Sequence, residues 1–255
     1  MSLLIVTYVP EGIVMASDSR QSITIGGKTP DGKDLPKIDT INSDSVYKTY
    51  LLFRKDKNDD PFFEIGVSSF GQDLLGGVST ASHIKTFSEK ELTDEDDVTS
   101  IPKKLVGFFR KSYPTADTGF HVAGYKKENK TSIPYVYHCH VSKNIFNERR
   151  NIDPDGNIIY RATWSGQADI ITGLINAIVI TEPDGKQKVV KPAPPIAWGA
   201  MALQDAIDFS IFAIRTTIET IRFQARPKNV GGPIDVLVIT PDGARWIKKK
   251  ELKSE

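Results

Sequence analysis

Met1-Ser2-Leu3-Leu4-Ile5-Val6-Thr7-Tyr8-Val9-Pro10-Glu11-Gly12-Ile13-Val14-Met15-Ala16-Ser17-Asp18-Ser19-Arg20 is the stretch whose reading decides the fold. It reads as a strand, a turn at Pro10-Glu11-Gly12, and a second strand that closes on a polar cluster. Asp18 ends an otherwise apolar run, where the pattern does not force a solvated charge. The residue after Met1 is small, so removal of Met1 would leave Ser2 with a free α-amine. Such an amine titrates at roughly 7.7–8.0, which places a base beside a hydroxyl nucleophile in a single residue.

Outward from this hairpin, the pattern alternates groups of strands with pairs of helices. Residues 26–39, dense in Gly and Pro, read as a loop or small hairpin. Strands are expected at 47–53 and 62–68 around a charged tip at 54–61, then helices at 72–87 and 98–112. Strands follow at 119–125, 134–141 and 158–163, the last after the turn Asp153-Pro154-Asp155-Gly156. Helices are expected at 167–180 and 203–224, and the chain closes with strands at 234–240 and 244–249. In the longest helix Leu203, Ile207, Ile211, Ile214, Ile218 and Ile221 share one face. That order is not βαβ, which argues against a parallel doubly wound sheet and fits antiparallel sheets; the length allows one large domain or two small ones.

Composition narrows the function classes. Lys+Arg number 33 against Asp+Glu 32, so the chain lacks the basic footprint of a nucleic-acid binder. The single cysteine, Cys139, excludes an internal disulfide framework and fits a reducing, cytoplasmic setting. No basic-then-apolar leader precedes the first strand, and the longest apolar run, near 170–180, is broken by Thr172 and Asn176, so no membrane partner is expected. His138-Cys139-His140 on a strand would turn two imidazoles to one face and the thiol to the other, two ligands at most, so no metal is expected.

Taken together, the opening hairpin resembles that of proteasome β-subunits and their bacterial relatives in the N-terminal nucleophile hydrolase superfamily. Gly12-Ile13-Val14-Met15-Ala16-Ser17-Asp18-Ser19-Arg20 is similar to the return strand of that family, and Ser2 stands sixteen residues before Asp18 as the family's nucleophile does. Ser45-Val46-Tyr47-Lys48-Thr49-Tyr50-Leu51 resembles the strand carrying the family's lysine, with Lys37 a rival. Phe63–Gly71, Trp164-Ser165-Gly166 and Gly231-Gly232-Pro233-Ile234-Asp235-Val236 are weaker matches in the same order.

The resemblance implies one domain spanning residues 1–255, an α+β, four-layer αββα sandwich: two antiparallel sheets between helical layers. It further implies an amide- or peptide-cleaving hydrolase that needs no cofactor and assembles into a homo-oligomer, ring or stack. Ser2 would be the nucleophile, Lys48 would lower its proton affinity, and Asp18 would hold Lys48. Gly71, or failing it Ser69, would donate a backbone N–H to the oxyanion. Ser165 would sit at the turn before the third helix, as a member of the site or as that helix's N-cap. The chain departs from the family at Pro227 and Val230, where flanking polar residues are expected, and in the longer segment 21–44. Pro227 and Val230, together with serine in place of the proteasome threonine, favour the alternative of a catalytically silent scaffold subunit.

Overall fold

The computed structural model describes residues 2–35, 38–55, 61–191 and 194–251. In chain order the strands and helices are β1 (Leu3–Val9), β2 (Gly12–Ser17), β3 (Gln21–Ile25), β4 (Ile38–Ser43), β5 (Thr49–Lys55), β6 (Pro61–Gly71), β7 (Leu74–Leu75), β8 (Val78–Ser79), α1 (Thr80–Lys90) and α2 (Ile101–Ser112). They continue with β9 (Thr118–Glu128), β10 (Thr131–His140), β11 (Ile145–Arg149), β12 (Arg161–Gly166), α3 (Asp169–Ile175), β13 (Ile178–Thr181), β14 (Gln187–Lys191), α4 (Leu203–Arg222), β15 (Asp235–Thr240) and β16 (Gly243–Lys248).

The opening hairpin sits inside a five-stranded antiparallel sheet of order β12-β1-β2-β15-β16, closed by a two-residue turn with Val9 opposite Gly12. Every residue of β1 and β2 is buried, because both faces of this sheet are covered. On one face Leu3, Ile5, Val14 and Ala16 pack with Ala206, Ala213, Ile214 and Ile221 of α4. On the other, Val6, Tyr8, Ile13 and Met15 meet Ala123 and Val136 of a second five-stranded sheet, ordered β11-β10-β9-β6-β5. The far face of that second sheet packs Val67, Phe120 and Val122 against Ile84 and Phe87 of α1 and Leu105 and Phe109 of α2. Each such aliphatic or aromatic side chain contributes about 1.5–3 kcal/mol when fully buried. The fold is thus mixed α and β, built on antiparallel sheets.

Several sequence expectations are corrected. The first helix begins at Thr80, not 72, because Gly76-Gly77 turns a small β7–β8 hairpin and Ser79 then caps α1 by accepting from Ser82 N–H. The helix expected over 167–180 stops at Ile175, and the β-branched run Ile178-Val179-Ile180-Thr181 pairs with β14 instead. The segment after Arg20 is a β3–β4 hairpin, the second of the two forms expected around residues 26–39. Lys48 precedes β5 by one residue instead of lying within it. The buried stripe of α4 takes in Ala206, Ser210, Ala213 and Thr217, small residues that let it approach the sheet, with Ser210 Oγ 2.9 Å from Thr7 Oγ1. The expected tip at 54–61 falls partly on residues 56–60, outside the described residues. Among the described residues no helix is long and apolar enough to cross a membrane.

Candidate active site

Ser2 stands at the head of β1, 6% exposed, with its backbone held on two sides. Its carbonyl accepts from Gln167 N–H at 2.7 Å, and the next amide, Leu3 N–H, donates to Asp18 Oδ1 at 2.9 Å. Gly166 makes the first contact possible. Its φ is +95°, and a Cβ there would lie 1.7 Å from the Ser2 carbonyl oxygen. A Gly166→Ala substitution is therefore expected to push the Ser2 segment aside and to cost roughly 1–3 kcal/mol from the strained φ alone. Urea unfolding together with Ser2-directed labelling checks this; a variant as stable and as reactive as the wild type would contradict it.

Asp18 is fully buried and accepts from four donors: Leu3 N–H, Lys48 Nζ at 2.8 Å, and the N–H groups of Arg20 and Gly231, both at 3.1 Å. Lys48, also buried, donates in addition to the Arg20 carbonyl at 2.6 Å. A buried ion pair persists when hydrogen bonds satisfy its remaining lone pairs and protons, and this one meets that condition on the carboxylate side. The end of β2, the segment before β5 and the lead into β15 converge here. The turn after β2 is fixed by Ser19 N–H on the Gly231 carbonyl at 3.0 Å and Ser19 Oγ on the Pro233 carbonyl at 2.7 Å.

A cavity of about 310 Å³ adjoins this pair, and its wall includes Ser2, Lys48, Arg20, residues 21–23 of β3 and residues 69–74. Arg20 is engaged by Asp44 through two bonds of 2.6 and 2.7 Å, and its hydrogen bonds hold the Asp44 carboxyl below the usual carboxylate range. Asp73 also faces the cavity. Burial pushes its carboxyl up, against the opposing effects of a hydrogen bond from Gln21 and the nearby Lys48 charge. Gln21 is itself held by Asn42 of β4.

The remaining expected site residues separate. Gly71, at φ +89°, lines the cavity; a Cβ there would lie 2.1 Å from the Asp117 carbonyl, so this position too needs glycine. Ser69 N–H is occupied by the Lys48 carbonyl at 2.8 Å, which removes it as an oxyanion donor. Ser165 pairs with Leu4 across the sheet and is not among the residues lining the cavity; its Oγ lies 2.9 Å from His121 Nε2. It does not cap α3, whose N-cap is Ala168 with no side-chain bond. Lys37 lies outside the described residues. His138 stacks on Phe70, and His140 lies 3.2 Å from Asp117, while Cys139 is buried among the apolar side chains on the opposite face. Burial raises the Cys139 thiol far above its ordinary value, which makes it inert.

Sequence reasoning missed a second buried pair, Asp235 with Lys250. The Lys250 ammonium bonds Asp235 Oδ2, its N–H donates to Oδ1 at 2.7 Å, and it lies 4.2 Å from the centre of the Tyr47 ring. Burial lowers the Lys250 pKa, and Asp235 offsets part of that shift. The available signal was the same as for Asp18, a carboxylate at the end of an apolar strand.

A buried serine at a strand head, beside a carboxylate–ammonium pair and a cavity, on paired antiparallel sheets, defines the class of fold to compare. No family model and no curated protein matches the chain. Among solved structures it is similar to the Anbu (Gly-1) mutant from Hyphomicrobium sp. strain MC1, at 14% identity over 98% of this chain and 86% of that one, TM-score 0.58. It is also similar to Anbu from the same strain, at 14% identity over 98% and 88%, TM-score 0.56. Anbu (ancestral beta-subunit) from Yersinia bercovieri matches at 13% identity over 98% and 88%, TM-score 0.53. At these identities the likeness is one of fold. It corrects the resemblance drawn from the opening hairpin: these three structures are Anbu proteins rather than proteasome β-subunits. The hairpin motif misled because it encodes a buried strand pair ending in a carboxylate, a demand that more than one relative of this fold can meet.

Proposed function

We propose that this chain is an N-terminal-serine hydrolase that cleaves amide or peptide bonds, and that its layers form an αββα sandwich. Support for the layers comes from the two sheets sharing one apolar interface while α1 and α2 pack on one outer face and α4 on the other. One observation carries the catalytic reading: Ser2 is buried against a cavity that it shares with Lys48, whose ammonium is bonded to Asp18. Removal of Met1 frees the α-amine. In its neutral form that amine takes the Ser2 hydroxyl proton as Oγ adds to the substrate carbonyl carbon, and Lys48 lowers the proton affinity of Oγ. The oxyanion collects at the Gly71 N–H, and the protonated amine returns its proton to the leaving nitrogen. Water then attacks the acyl ester with the same amine as base. No cofactor enters this scheme.

The test starts from protein whose intact mass shows Met1 removed. Ser2→Ala is expected to cut hydrolysis of short peptide amides by at least about a thousandfold, and to abolish labelling by a peptide boronate. Retained Met1 on an active protein, or equal labelling of both forms, would refute the reading.

A second reading, a silent scaffold subunit assembling with copies of itself, is favoured by Val230. It lies within the apolar cluster against α4 and offers no hydroxyl near the nucleophile. On that reading Ser2→Ala leaves both the assembly mass in light scattering and the absence of turnover unchanged.

A further inference from the structure

The cavity beside Ser2 contains more carboxylate than its own cations require. Arg20 is bonded at both ends of its guanidinium fork to Asp44, and Lys48 is bonded to Asp18, so each of these cations already has its counter-charge. Asp73 has neither. Its side-chain donor is the neutral amide of Gln21, and among the described residues it forms no ion pair. In the neutral form in which it serves as base, the Ser2 α-amine adds no charge; its protonated form is itself a cation near Asp73. With that amine neutral and the side chains ionised, Arg20, Lys48, Asp18, Asp44 and Asp73 leave one net negative charge around the cavity, and Asp73 is the carboxylate without an ion-pair partner among the described residues.

The carboxylate is also held in place. Asn42 fixes the Gln21 carbonyl oxygen, Gln21 in turn holds Asp73 Oδ2, and the Asp73 backbone carbonyl accepts from Thr80 N–H at 2.7 Å and Thr80 Oγ1 at 3.0 Å. Ile23, Phe70 and Leu74 share the same wall and supply apolar surface for an aliphatic stem. A cavity of about 310 Å³ is of the size that takes one side chain or a small ligand. Long basic side chains match this combination, because their methylene stems lie on apolar surface while their heads seek a carboxylate.

We propose that this cavity receives a cationic side chain, arginine or lysine, on the acyl side of the bond to be cleaved, with Asp73 as its partner. The assignment of a side to the scissile bond rests on the reading of Ser2 as nucleophile; the preference for a cation does not. Arg outranks Lys where a planar fork can meet a carboxylate in two bonds.

The test reads binding, so that it stands apart from catalysis. Nα-acetyl-arginine methylamide and its leucine counterpart are titrated by calorimetry into wild type, Ser2→Ala and Asp73→Asn. Wild type and Ser2→Ala are expected to prefer the arginine amide by at least about tenfold. Asp73→Asn, which keeps the acceptor for Gln21, is expected to lose that preference. Asp73→Glu retains the charge and is expected to retain most of the preference, which guards against a folding defect in the first variant. Equal affinity for the two amides in wild type, or an undiminished preference in Asp73→Asn, overturns the proposal. If Ser2→Ala still hydrolyses amides while the Asp73 pattern holds, the catalytic reading fails and the cation site remains.

Discussion

Asp18→Ala is expected to lower stability by about 3–5 kcal/mol, the cost of leaving a buried charge without its partner. The substitution strands Lys48, 4% exposed, with the Arg20 carbonyl as its acceptor. It also strands the Leu3, Arg20 and Gly231 amides, which donate to the same carboxylate. Removing the other member is expected to cost less. In Lys48→Met the carboxylate keeps three backbone donors that favour its ionised form. The double variant is expected to be more stable than the sum of the single losses predicts, because no unpaired ammonium is left in the interior. Urea unfolding of the four proteins gives the cycle. Equal losses for the two single variants would mean that the amide donors contribute nothing, and the account of the site as a hydrogen-bonded hub would fall.

The same hub explains what could be read from sequence. Asp18 and Lys48 announce themselves because each ionisable side chain borders an apolar strand, β2 and β5, and such a charge needs a partner. The strand pairs β1–β2 and β15–β16 and the helices α2 and α4 were legible for a related reason: their apolar residues recur with the period of the element, between clear turn residues. Where the period is short or ambiguous, tertiary context decided. Residues 170–180 are apolar enough for a helix, yet the β-branched stretch after Asn176 finds a partner in β14. Gln72 to Ser79 could have continued into α1, but the adjacent glycines favour a turn and the chain pairs with itself first.

The parts of the site that sequence concealed are those made by distant backbone. Gly166 reads as a turn residue, and only the packing of β12 beside β1 shows that its missing side chain makes room for the Ser2 carbonyl. The sequence pattern predicts helix where Asp73 lies; the β7–β8 turn brings it to the cavity, and the β3–β4 hairpin supplies the Gln21 that holds it. That hairpin lies in the segment 21–44, longer than in the family the opening hairpin resembles. Its first strand forms part of the cavity wall.

The second large effect is expected in acid. His121 is fully buried on β9, with Nε2 against Ser165 Oγ and Nδ1 without a hydrogen-bond partner among the described residues. Burial, with the charges of His138 and Arg150 nearby, pushes its pKa down to about 3. The folded state therefore holds the neutral ring, whereas the unfolded chain binds a proton near pH 6.5. Stability from this group is complete above pH 6.5 and is lost as the pH falls toward 3, at about 1.4 kcal/mol per unit. By pH 5 the loss is about 2 kcal/mol, before carboxylates held low, such as Asp44 and Asp96, begin to contribute near their unfolded values. His138 and His140, also lowered by burial, steepen the slope in the same direction. Asp73 acts in the opposite sense, since a carboxyl raised by burial is relieved by protonation. His121→Gln removes the titrating ring while keeping polar atoms for Ser165. Its unfolding free energy is expected to vary less between pH 7.5 and pH 5, by about 2 kcal/mol. The comparison uses the slope, so an overall loss of stability in the variant leaves it readable. A wild-type protein equally stable at both pH values would show that the ring is not held neutral, and the contact with Ser165 would then need a proton on both nitrogens.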